Sequence, residues 1–116
     1  DVAKLYIDED GKTSVYEIFE TEVTIGRGAA SRVQVRDPRA SKRHGVLKNL
    51  AGRWKYLDLE SKNGTRVNGS FRNKSWLHHG DTIEIGTTTI RFGLEGAQRT
   101  AAPSRAAPTR AAPTGR

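Results

Sequence analysis

Short runs of β-branched and aromatic residues recur every 8–12 residues, separated by Gly or Asn turns, and this spacing constrains the fold more than any other feature. The runs are VAKLYI (2–7), SVYEIF (14–19), EVTIG (22–26), RVQV (32–35), HGVLKNL (44–50), RWKYLDL (53–59), DTIEIG (81–86) and TTIRFGL (88–94). DEDGKT and the AG pair at 51–52 separate neighbouring runs as hairpin turns would. No ten-residue stretch combines a helical period with caps. The expected fold class is therefore all-β, a sandwich of two antiparallel sheets. The candidate core is Val2, Leu5, Ile7, Val15, Ile18, Val23, Ile25, Val33, Val35, Leu47, Trp54, Leu57, Leu59, Val67, Leu77, Ile83, Ile85, Ile90 and Phe92, adequate for a domain of about 95 residues.

The pattern stops near Gly96. Beyond it AAPSR, AAPTR and AAPTGR repeat with no aromatic or branched aliphatic residue. Such a segment buries too little surface to offset its ordering entropy. The expected organisation is a β-sandwich domain over 1–95 and a disordered, basic Ala/Pro/Arg-rich linker or tail over 96–116. The tail contributes four of the 20 cations and no acid, so the domain carries only +3 of the +7 net charge. A basic pI of 10.1 thus overstates the case for a nucleic-acid-binding fold. With no cysteine, disulfides and thiolate metal sites are excluded, and a reducing compartment is the simplest expectation. No apolar run approaches the roughly 20 residues of a membrane helix, and an N-terminus that is acidic and alternating is not expected to be a secretory signal. The chain opens on Asp1, as a fragment or processed chain would.

Function in a sandwich resides in its loops. In IGRGAASR (25–32), Gly26 and Gly28 let the backbone turn sharply around Arg27. Alone, that arginine reads more simply as a solvated surface residue. RASKRH (39–44) packs three cations, a hydroxyl and an imidazole just after Pro38. If extended, it sends Ser41 and His44 to opposite faces, which argues against a hydrolytic Ser–His pair. His44 then braces the loop through backbone hydrogen bonds. Ser41, beside Arg39 and Lys42 or Arg43, has the chemistry to hold an anion. ESKNGTRVNG (60–69) contains Asn63–Gly64, the strongest short hairpin signal. It also offers more polar groups than a turn needs, and Asn63 can present an amide to a partner's backbone. HHGD (78–81) reads as a turn before a strand rather than a metal site, since adjacent strand histidines diverge.

Taken in order, GR (26–27), SKRH (41–44), SKNGTRVNG (61–69) and LHHGDTIEIG (77–86) resemble a forkhead-associated (FHA) domain over about residues 2–94. The resemblance implies an eleven-stranded sandwich that binds phosphothreonine peptides through loops at one end. It implies no catalysis, metal or cofactor, so the chain is not expected to be an enzyme. By resemblance, Arg27, Ser41 and Lys42 contact the phosphate, and Asn63 holds the peptide backbone. Arg39 sits where some members read the residue three positions after the phosphothreonine. Lys62 stands where several members have Ser or Thr and could reach the phosphate or an acidic peptide residue. Gly26, His44 and Gly64 shape the loops. The expected partner is a phosphothreonine-containing protein in Ser/Thr kinase signalling with acidic residues near the phosphosite. The domain is expected to be monomeric, away from membranes, in the cytoplasm or, in a eukaryote, the nucleus. The alternative is a nucleic-acid-binding β-domain using the basic loop 36–43 and the tail. Such domains interleave aromatics with cations, whereas Trp54, Tyr56 and Trp76 lie away from this loop in sequence.

Overall fold

The computed structural model describes residues 2–95; the expected tail lies outside them. Eleven strands and no helix are found among the described residues: β1 (Val2–Glu9), β2 (Lys12–Ile18), β3 (Glu22–Gly26), β4 (Val33–Gln34), β5 (Gly45–Leu50), β6 (Arg53–Asp58), β7 (Arg66–Val67), β8 (Ser70–Phe71), β9 (Lys74–Leu77), β10 (Thr82–Ile85) and β11 (Thr88–Glu95). One sheet runs β2-β1-β11-β10-β7-β8 and the other β4-β3-β5-β6-β9. Pairing is antiparallel except that β4 lies parallel to β3, a departure from the purely antiparallel sheets expected. The chain between β3 and β4 loops back to the same end of the sheet instead of turning as a hairpin, which makes β4 parallel.

Two-residue turns with both residues at positive φ close three hairpins: Asp10–Gly11 (53°, 75°), Ala51–Gly52 (57°, 87°) and Asn68–Gly69 (53°, 86°). The flanking pairs Glu9–Lys12, Leu50–Arg53 and Val67–Ser70 are in register. These turns have the twist that antiparallel strands require. The Asn63–Gly64 pair is not one of them. Only Gly64 is at positive φ, and the pair belongs to a longer loop between β6 and β7.

The core lies between the sheets. Leu5, Ile83, Ile85, Ile90 and Phe92 face Val23, Ile25, Leu47 and Tyr56, all fully buried. Trp54 and Phe92 meet across the interface with ring centroids 6.1 Å apart. Val15 is a correction to the expected core, being 55% exposed. Leu5 pairs with Tyr16 and Tyr6 with Val15, so alternation turns Val15 outward once Leu5 points in. By the same alternation Trp54 and Tyr56 point inward and Leu57 is left half-buried. Tyr56, absent from the expected core, is among its largest members.

Two carboxylates secure the loop between β4 and β5 to the other sheet. Glu9 accepts the backbone N–H groups of Arg36 (2.6 Å) and Asp37 (3.1 Å) and the Thr88 hydroxyl (2.8 Å). Asp37, itself buried, accepts the Thr87 N–H (2.8 Å) and hydroxyl (2.7 Å), and from Arg39 the backbone N–H (2.9 Å) and Nε (3.1 Å). The Thr87 and Arg39 backbone N–H groups, followed by the Thr87 hydroxyl, hold the Asp37 carboxyl well below the usual carboxylate range. Because the folded-state pKa is lowered, the carboxylate stabilises the fold above the unfolded value near 3.8, and that stabilisation is lost as pH falls from there towards the folded value. Asp37→Asn is expected to cost about 2 kcal/mol at neutral pH, the worth of its charge-assisted hydrogen bonds. The gap from wild type, measured by urea unfolding, should stay level down to about pH 5 and narrow below pH 4.

Candidate functional site

Three loops meet at one end of the sandwich: 27–32 after β3, 35–44 before β5, and 59–65 after β6. Main-chain hydrogen bonds join the first two. The Arg27 N–H donates to the Ser41 carbonyl (2.9 Å) and the Gly28 N–H to the Lys42 carbonyl (3.1 Å). Ser31 Oγ reaches the same Lys42 carbonyl at 3.2 Å. The approach demands glycine at 26, where a Cβ would lie 2.1 Å from the Lys42 carbonyl oxygen. Arg27 Nε donates to the Ala40 carbonyl (2.9 Å). This anchors the exposed guanidinium and leaves its terminal nitrogens without a partner among the described residues.

His44 ties the second loop to the third. The imidazole is fully buried. Nδ1 accepts the Ser41 backbone N–H at 3.0 Å, so the ring hydrogen is on Nε2, which donates to the Gly64 carbonyl at 2.9 Å. The His44 backbone joins both neighbours as well, its N–H donating to Ile25 and its carbonyl accepting from Leu59, each at 2.9 Å. The Lys62 N–H donates to Ser41 Oγ (3.0 Å), which leaves the Ser41 hydroxyl hydrogen free to donate outward. Asn63 Nδ2 donates to the Arg39 carbonyl (2.8 Å), so one amide hydrogen and the amide oxygen remain available. Ser41 and His44 are not a nucleophile–base pair, because the hydroxyl accepts from Lys62 and both ring nitrogens are engaged with backbone groups.

Beneath the third loop is a polar knot that sequence reading missed. Asp58 Oδ1 accepts the hydroxyls of Ser61 (2.6 Å) and Thr65 (2.8 Å), and Oδ2 the Ser61 N–H (3.0 Å). Tyr56 OH lies 2.8 Å from the Thr65 hydroxyl and donates to it, since the Thr65 hydrogen is given to Asp58. Burial pushes the Tyr56 phenol well above its ordinary pKa. Gly45 makes room for that phenol, as a Cβ there would be 2.0 Å from its oxygen. The only sequence signal was the excess of hydroxyls following Asp58.

Arg27, Arg39, Lys42, Lys62 and Asn63 are all exposed around Ser41. Arg39 differs from the other cations in being paired with Asp37. Arg43 lines a shallow cleft with Asp58, Leu59 and Glu60. No group of three or more potential metal ligands occurs among the described residues. His78 and Asp81 form a turn in which Asp81 accepts the His78 N–H (2.8 Å), and His79 Nδ1 accepts the Leu94 N–H (2.9 Å). The aromatics do not interleave with the basic loop. Trp54 and Tyr56 are buried, and Trp76 is on the outside of the five-stranded sheet with the Arg53 guanidinium 4.1 Å from its ring centroid.

A sandwich with hydroxyl and cationic groups gathered on loops at one end has the architecture of a binding module. Residues 23–86 match the FHA domain family, and the chain belongs to it. It is 36% identical over 73 residues to the oxoglutarate dehydrogenase inhibitor of Corynebacterium diphtheriae, covering 63% of this chain and 50% of that protein. It is 33% identical over 87 residues to the FHA domain-containing protein FhaA of Mycobacterium tuberculosis, covering 71% and 16%. The chain thus spans about half the length of the corynebacterial relative. Among solved structures, a domain from a study of phosphothreonine-dependent FHA domain interactions superposes with a TM-score of 0.76 at 29% identity, covering 82% of this chain and 98% of that one. The FhaA FHA domain, solved in complex with the intracellular domain of Rv3910, superposes at 0.72 with 31% identity, covering 78% and 98%.

His44→Leu retains apolar volume but abandons the Ser41 N–H and the Gly64 carbonyl. An unpaired buried polar group costs about 1–3 kcal/mol, and since both of these hydrogen bonds are part-buried a loss of roughly 2–4 kcal/mol is expected in chemical denaturation. Full stability in this variant would show that the two groups find other partners.

Proposed function

We propose that this chain is a phosphothreonine-dependent peptide-binding module that mediates protein–protein interaction in Ser/Thr kinase signalling. The observation that carries the reading is the preset mouth around Ser41: a hydroxyl with its hydrogen free to donate, an anchored Arg27 with free terminal nitrogens, and Asn63 with unspent amide groups. A phosphothreonine brings about −1.5 to −2 charges and three strong acceptors. Arg27 and Ser41 take the phosphate, Lys42 adds charge, and Asn63 holds the peptide backbone. Lys62, whose backbone N–H donates to Ser41 Oγ, is the candidate to supplement the phosphate contacts. Gly26, His44 and Gly64 keep the loops in shape. Relatives support the reading: the FhaA domain was solved with a partner protein's intracellular domain, and Mycobacterium tuberculosis EmbR, 26% identical with a TM-score of 0.72, with a low affinity phosphopeptide.

The finer reading is that the domain acts as a monomer, without catalysis of its own, and favours acidic residues around the phosphothreonine, above all three positions after it. Arg39 is the candidate reader of that position. Its pairing with Asp37 fixes the guanidinium's direction and offsets part of its charge, so selection there should be a preference rather than a requirement. The bacterial relatives favour a cytoplasmic over a nuclear setting. Residues 1–95 form the binding domain in this reading, and 96–116 its tether.

The test is titration with matched Thr, phosphothreonine and phosphoserine peptides. Wild type should bind the phosphothreonine form selectively, and Arg27→Ala or Ser41→Ala should each cost about 1.5–3 kcal/mol, roughly ten- to a hundredfold in affinity. Equal affinity for the Thr and phosphothreonine forms would overturn the reading. Single-stranded oligonucleotides serve as the competing arm, and salt-dependent binding to them that survives removal of 97–116 would favour the nucleic-acid alternative.

A further inference from the structure

Phe71 is 67% exposed, although it sits in the ladder of a sheet, opposite Arg66 in register. Single exposed apolar residues are ordinary on protein surfaces; the position of this one is what sets it apart. Its ring lies against the α-carbon of Gly64, where a Cβ would come within 3.1 and 3.2 Å of Cδ1 and Cε1. The Arg66 guanidinium carbon is 5.2 Å from the ring centroid, within range of a cation–π contact. Gly64 follows Asn63 directly, and its carbonyl is held by the buried His44. The Arg72 N–H, next to the ring's own residue, donates to the Thr65 carbonyl at 3.0 Å. The aromatic ring is therefore held on the same loop that presents Asn63. Leu50, another exposed large hydrophobic, is by contrast at the far end of β5 from His44.

We infer that Phe71, backed by Gly64 and flanked by Arg66, is a subsite for an apolar side chain of the bound phosphopeptide, within about two residues of the one whose backbone Asn63 holds. The inference rests on the phosphopeptide reading above. The distance follows from chain geometry: the ring touches the residue next to Asn63, and an extended peptide advances about 3.3 Å per residue. The ring supplies the apolar area. The Arg66 guanidinium carbon lies over that ring, 5.2 Å from its centroid, so the aliphatic stem of Arg66 can add to the apolar area beside Phe71. A glycine at 64 lets the ring approach the loop; any side chain there would push the shelf away from Asn63.

The experiment is a degenerate phosphothreonine peptide library screened against wild type, Phe71→Ala and Arg27→Ala, followed by titration of the selected peptides and their alanine-substituted counterparts. Wild type should enrich Leu, Ile, Met or Phe at one position near the phosphothreonine. Phe71→Ala should keep its discrimination of phosphothreonine from threonine but lose that enrichment, binding the selected peptide about fivefold more weakly. Arg27→Ala should lose binding to all peptides alike. Phe71→Gln, which keeps a side chain of similar reach without the ring, should behave as Phe71→Ala does and guards against a folding artefact in either variant. Enrichment that persists in Phe71→Ala and Phe71→Gln, or its absence from wild type, overturns the subsite alone. A wild-type chain that binds Thr and phosphothreonine peptides equally overturns the phosphopeptide reading and the subsite together.

Discussion

One imidazole sets the distance between the two loops that carry Arg39, Ser41, Lys42, Lys62 and Asn63. His44 receives a backbone hydrogen from Ser41 and gives one to Gly64, from a position with no contact with water. Sequence neighbours of those two residues, Lys42 on one side and Asn63 on the other, are thereby held in relation to each other without any direct bond between their side chains. A buried neutral imidazole suits this because it is donor and acceptor at once across a rigid ring. The network continues through Asp58, Ser61, Thr65 and Tyr56, so the site is supported by polar groups as fully paired as a β-ladder. Such networks specify one geometry when satisfied and are costly when broken.

Electrostatics at the mouth are set by pairing as much as by count. Asp37 withdraws Arg39 from the pool of free cations and at the same time pins its loop to Thr87 in the turn between β10 and β11. Arg27 is anchored through a carbonyl oxygen rather than a carboxylate, which fixes its direction without cancelling its charge. The difference between these two arginines lies in their acceptors, a neutral carbonyl for one and a carboxylate for the other, and it leaves Arg27 with the fuller positive charge.

Much of this was legible in the linear chain. The long alternating runs announced a sandwich, because a period of two survives any tertiary context that buries one face. The short strands β7, β8 and β9 were invisible, since two to four residues are too few to show a period. Val15 was assigned to the core on hydrophobicity, although Ile18, three residues on, could not share its face. The Asn63–Gly64 pair had the composition of a tight hairpin, but the hairpin belongs to Asn68–Gly69. Turn propensity alone cannot tell which of two Asn–Gly pairs is flanked by paired strands, and here the loss of the turn freed Asn63 for the loop. Motif order brought Arg27, Ser41 and Asn63 together on paper. Asp37, Asp58 and Tyr56 were missed because they act through partners 50, seven and nine positions away, and no local pattern encodes such distances.

The close approach of Gly26 to the Lys42 carbonyl has an evolutionary consequence. The loops cross through their main chains, so the contour of the mouth does not depend on which side chain stands at 42. Position 26 is closed to change while position 42 is open to it. Charge at the rim can be retuned by substitution without redrawing the contour of the loops.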